Sequence, residues 1–223
     1  MTVSLQVWRV PPNRVPAALW RMAVEPRRVR RAPGVRFAKL LGTARGFGLS
    51  RADPTRWAAL TVADAPPAFP KWDRIAVAGC RLDLRPLSSR GTWAGRAPFE
   101  TGPTPAPAGP VLALTRARLR PGKALTFWRA IGPVGDAVAG APGLLAAFGI
   151  GEAPLGWQGT VSVWRSAPDL IRFAYRHPEH RRAVARTATV DWYAEELFAR
   201  FAVLDVHGDT GVIGWCEGRR LPG

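Results

Sequence analysis

The chain has only three imidazoles: His177, His180 and His207. His180 follows Pro178, which suits the first turn of a helix running to about residue 190. From His180, positions i+3, i+4 and i+7 are Ala183, Val184 and Thr187, while Arg181 and Arg182 point elsewhere. His180 therefore lies on the apolar face of that helix. An imidazole there is either a metal or haem ligand or a hydrogen-bonded core histidine. His177, held out of the helix by Pro178, faces water. As a zinc pair, His177 and His180 lack a nearby third ligand. His207 lies beside Gly208 after the last expected strand and reads as an exposed loop residue.

Other chemistries find less support. Gly149-Ile150-Gly151 and Gly46-Phe47-Gly48 do not complete GxGxxG, because Pro154 and Arg51 stand where the third glycine belongs, and there is no GxSxG. Arg45-Gly46-Phe47-Gly48 matches the start of an RNA-binding motif. Leu49 and Ala52 stand where its stacking aromatics belong, so no nucleic-acid partner is expected. Cys80 and Cys216 are too far apart in sequence for a CxxC pair, and a reducing cytoplasm is the expected compartment. No apolar run is long enough to span a membrane, and MTVSLQVWRVPP is not the pattern of a signal peptide. The net charge is +16, and 29 of the 32 basic residues are arginines, densest at Arg27, Arg28, Arg30 and Arg31. Such a surface suits an acidic partner such as a small electron carrier, though a GC-rich genome also produces arginine. The chain contains ten tryptophans, which could wall a planar cofactor or a long apolar ligand, or simply fill a core.

The elements that would position these residues come in two similar sets. Trp-Arg (20–21 and 128–129) and Ala-Pro-Gly (32–34 and 141–143) recur in order, as if one unit were duplicated. In the first half, residues 3–10, 35–41, 56–63 and 81–86 read as strands. Val15, Leu19, Met22 and Ala23 mark a helix, and a short, poor helix precedes residue 77. In the second half, 111–119, 144–150, 160–165 and 197–204 read as strands, 123–138 as a helix, and Ser166-Ala-Pro-Asp169 as a capping box. Residues 91–110 hold four glycines and five prolines and read as an extended linker. The expected organisation is a repeat over 1–90, a linker over 91–110, a second repeat over 111–206 carrying His180, and a tail over 207–223. The expected fold class is α+β: two tandem ferredoxin-like βαββαβ repeats packed sheet to sheet as a fused dimeric α/β barrel, with an apolar ligand cavity between the sheets. Closure within one chain predicts a monomer or weak homodimer.

The runs RFAKLLGT (36–43), RPLSSRGTWAGRAPF (85–99), LGWQGTVSVWRS (155–166) and WYAEELFARFAVL (192–204) resemble spheroidene monooxygenase-like proteins over about residues 3–206. The resemblance implies the same barrel, similar in architecture to the haem-containing aldoxime dehydratases. It also implies a haem b (iron) monooxygenase that uses O2, an apolar carotenoid-like substrate and electrons from an acidic ferredoxin. Carried over, the histidine of YRHPEHRRAV ahead of WYAEELFARF is the proximal iron ligand, His180, with His177 as the fallback. Arg176, Arg36 and Arg90 are candidates for the haem propionates, because guanidinium suits carboxylates. Trp164 and Trp192 are candidate walls for the cofactor, and Gln158 and Ser162 candidate distal residues. The competing readings are an aldoxime-dehydratase-like haem enzyme, a cofactor-free α/β-barrel oxygenase and a non-catalytic binding protein.

Overall fold

Strict alternation of apolar and polar residues makes strands with one face to bury, and eight strands solve this by closing on themselves. The computed structural model describes residues 1–46, 52–102, 108–120, 122–123, 138–152, 157–176 and 192–215. The strands are β1 (Thr2–Arg9), β2 (Val35–Ala44), β3 (Ala52–Ala63), β4 (Ala78–Gly91), β5 (Val111–Leu119), β6 (Leu144–Gly151), β7 (Trp157–Trp164) and β8 (Tyr193–Gly208). They form a closed barrel in the order β1-β3-β2-β6-β7-β5-β8-β4. The first half thus runs β4-β1-β3-β2 and the second β8-β5-β7-β6, the same order twice. The halves join through antiparallel β2–β6 and β4–β8 pairs.

One core fills the barrel and draws on both halves. Val3, Leu5 and Val7 of β1 meet Leu112 and Leu114 of β5, Phe148 of β6, Val161 and Val163 of β7, and Phe201 of β8. The interior expected to be a cavity is packed in its middle by aromatic side chains, Phe99 and Phe201 at 4.9 Å edge to face among them. The first sheet's outer face carries Trp8, Leu40 and Trp57, which pack with Phe69 and Trp72. Phe69 and Trp72 come from the short helix α3 (Pro70–Asp73) and the residue before it.

Three regions depart from the sequence-based reading. Helix α1 (Val15–Val24) forms where expected and is followed by α2 (Pro26–Arg30). Ala18 is its buried residue, however, and Leu19 and Ala23 face solvent. The proline- and glycine-rich stretch after β4 does not simply stretch away from the body: Trp93 and Phe99 sit in the barrel core. The tail also packs: Val212 and Ile213, from a 3-10 turn at Thr210–Ile213, and Trp215 join the same core. His207 lies on β8 rather than in a loop, half-exposed, with Nε2 at 3.0 Å from Asp83 and 3.4 Å from Asp205. The helix expected over 123–138 falls almost wholly outside the described residues.

At the end of β4 the chain turns through Gly91, whose φ is +89° and where an added Cβ would stand 2.1 Å from the Glu196 carbonyl oxygen. Only glycine fits there. Gly91→Ala is expected to cost at least about 2 kcal/mol, read as a lower urea midpoint. An unchanged midpoint would show that the β4–β8 seam relaxes without cost.

Candidate functional site

The inward positions of three strands, and the residue just past a fourth, bring charge to the barrel interior. Lys39 lies between Phe37 and Leu41 on β2, and Arg116 continues Leu112 and Leu114 on β5. Glu195 precedes Leu197 and Ala199 on β8, and Glu152 follows Phe148 and Ile150 past the end of β6. They meet at one end of the barrel. The Arg116 guanidinium, 2% exposed, donates to Glu195 and, at 3.3 Å, to Glu152. Lys39 and the Trp93 indole N–H also donate to Glu152. Trp93 is fully buried, with the Lys39 ammonium 5.8 Å and the Arg116 guanidinium 5.6 Å from its ring. Two cations and two carboxylates cancel, as burial demands.

Glu195 also holds the turn that carries Trp93, accepting from the Gly95 amide at 2.7 Å and the Thr92 hydroxyl at 3.1 Å. Burial alone pushes its carboxyl up. The Gly95 amide, the Arg116 guanidinium and the Thr92 hydroxyl outweigh burial and hold it down at about 2. A second interior cluster lies by the tail. Arg56 donates to Thr43 and to the Ala44 carbonyl and stands 4.9 Å over the Phe148 ring. Burial pulls its pKa down against the opposing charge of Asp53. Cys80 is buried in the core, and burial, with Asp209, pushes its thiol up to about 11, so it is no nucleophile.

The sequence-predicted site residues lie elsewhere, mostly on the outer face of the second sheet. Ser162 and Trp164 alternate outward on β7, and the Trp164 indole N–H donates to the Ser162 hydroxyl at 2.9 Å. Trp164 packs on Phe173 of α4 (Ala167–Arg176), with ring centroids 5.2 Å apart. The expected capping box opens α4: Ser166 accepts from the Asp169 amide and donates to its carboxylate. Gln158 pairs with Ala117 on the same sheet, and Arg176 ends α4. Arg90 lies exposed on β4, 3.5 Å from Glu196 and 5.3 Å from the Phe198 ring. Its neighbour across the strands is Phe198, and Phe198 in turn pairs with Thr115. Trp192 is fully buried just before β8. Arg36 is apart from these, exposed on the first sheet and paired with Asp64 at 3.1 Å. His177 and His180, the first of them one residue past Arg176, lie outside the described residues. Among the described residues, no three His, Cys, Asp or Glu side chains could hold a metal ion.

The outer face of the second sheet has an unusual lining. Between the Val111–Trp164–Leu144 end of that face and the far end of the strands, Ala113, Thr115 and Ala117 on β5, Ala147 and Gly149 on β6, and Thr160 and Ser162 on β7 are all threonine-sized or smaller. The matching face of the first sheet carries two tryptophans. Ala113 and Ala147 pack against the cluster of Trp164, Leu170 and Phe173, and the Ser162 hydroxyl lies on the same face.

An eight-stranded, single-chain α+β barrel defines a fold shared with aldoxime dehydratases. One, solved in complex with butyraldoxime, matches with a TM-score of 0.54 at 12% identity, covering 97% of this chain and 85% of that one. Another matches with a TM-score of 0.51 at 14% identity, covering 92% and 81%. No family model matches the chain. Curated relatives are closer in sequence: the spheroidene monooxygenase of Rhodobacter capsulatus is 35% identical over 87% of this chain and 86% of its own. That of Rubrivivax gelatinosus is 39% identical over 79% and 72%. The chain belongs to the spheroidene monooxygenase family and is an oxidoreductase of the monooxygenase class.

Proposed function

We propose that this protein is a cytoplasmic, haem-b-dependent monooxygenase that inserts oxygen from O2 into an apolar, carotenoid-like or secondary-metabolite substrate, with electrons from an acidic donor such as a ferredoxin. The observation that carries this reading is the 35–39% identity to two enzymes named for spheroidene oxygenation. When bound, haem supplies the activation of O2 by two electrons.

The chain's own residues do the rest. His180 is the iron ligand in this proposal. Arg176 and Arg90 pair the propionates, and Trp164 and Trp192 wall the site. Ser162, whose hydroxyl accepts from the Trp164 indole, would hold a proton at its Oγ on the distal side, and Gln158 is the second candidate for that role. Arg36, engaged with Asp64 on the other sheet, is left out.

The test is an absorption spectrum of protein expressed with haem precursor, beside His180→Ala and His177→Ala. The expected result is a Soret band in wild type that His180→Ala shifts or abolishes and His177→Ala leaves in place. No band after reconstitution would remove haem from the proposal, and a band lost only in His177→Ala would move the ligand. Substrate turnover without any electron donor would overturn the monooxygenase chemistry.

A further inference from the structure

Helix α1 wears its apolar stripe on the outside. Pro16, Leu19, Trp20, Ala23 and Val24, spaced i, i+3, i+4, i+7 and i+8, are all exposed, with Trp20 at 67% and Leu19 at 54%. A surface helix normally turns such a stripe to the core. Here only Ala18 is buried on the inner side. The residues around the stripe are basic: Arg14, Arg27, Arg28, Arg30 and Arg31 are exposed, the last four on and just after α2. The lone acidic residue between positions 11 and 34, Glu25, is buried and lies 3.8 Å from both Arg21 and Lys71. The patch is therefore apolar at its centre and cationic along its flank, with no exposed acid among residues 11–34 and with Asp64 and Asp73 exposed on the neighbouring elements.

We infer that α1 and α2 form a docking surface for an anionic membrane, with Trp20, Leu19 and Val24 entering the headgroup boundary and the arginines engaging lipid phosphates. Charge chooses among the occupants. A second copy would bring the same arginine flank against itself on a chain of net charge +16, so self-association is opposed. A tryptophan beside short aliphatic side chains on one helical face, flanked by arginine, matches the interfacial zone of a bilayer, where the indole sits at headgroup depth. An acidic protein would be held by the arginines, but charge pairing alone leaves the exposed Trp–Leu–Val stripe in water. No helix among the described residues is long and apolar enough to cross a membrane, so the contact would be peripheral. The inference stands without haem, and it would bring the protein to where apolar molecules dissolve.

The test is co-sedimentation of the full chain, with and without haem, with phosphatidylcholine vesicles containing or lacking roughly 30 mol % phosphatidylglycerol at about 0.15 M salt. Two variants accompany it: Leu19→Ser/Trp20→Ser, and Arg27, Arg28, Arg30 and Arg31 all changed to Gln. All these side chains except Leu19 and Trp20 belong to the basic flank, and near-ultraviolet circular dichroism checks that both variants stay folded. Wild type is expected to bind the anionic vesicles and not the neutral ones. Each arginine near an anionic surface is worth roughly a fivefold change, so removing four should lower binding by roughly several hundredfold. The apolar variant should lose about tenfold or more. Equal binding to both vesicle types, or an apolar variant that binds like wild type, would overturn the proposal. So would substitutions that leave vesicle binding intact but abolish binding of an acidic ferredoxin. Because the readout is haem-free, failure here is distinct from failure of the haem reading.

Discussion

Arg116→Met is expected to destabilise the protein by about 3–5 kcal/mol, because it leaves two carboxylates buried without their shared cation. In a chain of this length that is a fall in Tm of roughly 6–20 °C. Methionine keeps a flexible apolar stem as far as the position of the arginine Nε, so the loss reads the missing guanidinium. The pH dependence carries the mechanism. In wild type, Glu195 is held at about 2, below the ordinary carboxylate range. The stability it contributes is fully present above its unfolded pKa and is lost as pH falls through that range towards about 2. In the variant the cation that helped to hold Glu195 down is gone, and only the Gly95 amide and the Thr92 hydroxyl oppose burial, so its carboxyl shifts up and protonation relieves part of the defect. The deficit relative to wild type should shrink between pH 7 and pH 4, and adding Glu195→Gln to Arg116→Met should recover part of it. Thermal unfolding of the three proteins across that range decides the matter. A pH-independent deficit, or one below about 1 kcal/mol, would mean that the network is solvated in solution.

Trp93→Ala is expected to cost about 3–5 kcal/mol. The indole is fully buried, lies 5.6 Å from the Phe37 ring and donates to Glu152. Trp93→Phe separates packing from hydrogen bonding. It keeps a ring among Phe37, Lys39 and Arg116 but leaves Glu152 short of one donor, at about 1–3 kcal/mol. Urea unfolding read by circular dichroism checks both. If alanine cost no more than phenylalanine, the ring would contribute little and the stretch after β4 would close the barrel end by its backbone alone.

These two residues belong to the part of the molecule that local sequence hides. In sequence, Arg116 is one residue of the expected strand 111–119 and Trp93 lies in the expected linker 91–110. Their partners are remote in the chain: Glu195 lies 79 positions from Arg116, and Glu152 lies 59 from Trp93 and 113 from Lys39. A signal did exist in the strand parity. Lys39, Arg116 and Glu195 each occupy the inward position of their strand, and inward charges of opposite sign imply partners. The composition of residues 91–110, rich in proline and glycine, masked the anchors Trp93 and Phe99.

The sequence by itself determined the strands, the helix-start signal at Ser166 and the family, because alternation, capping and family blocks are written in neighbouring residues. The tertiary structure decided which faces were used. It turned α1 so that Leu19 and Ala23 face solvent, put Arg36 on the other sheet from Ser162 and Trp164, and drew Val212, Ile213 and Trp215 into the barrel. The physical reason is closure. Once eight strands form a ring, each inward side chain is apportioned to a shared interior by register across the seams, and no single strand carries that information.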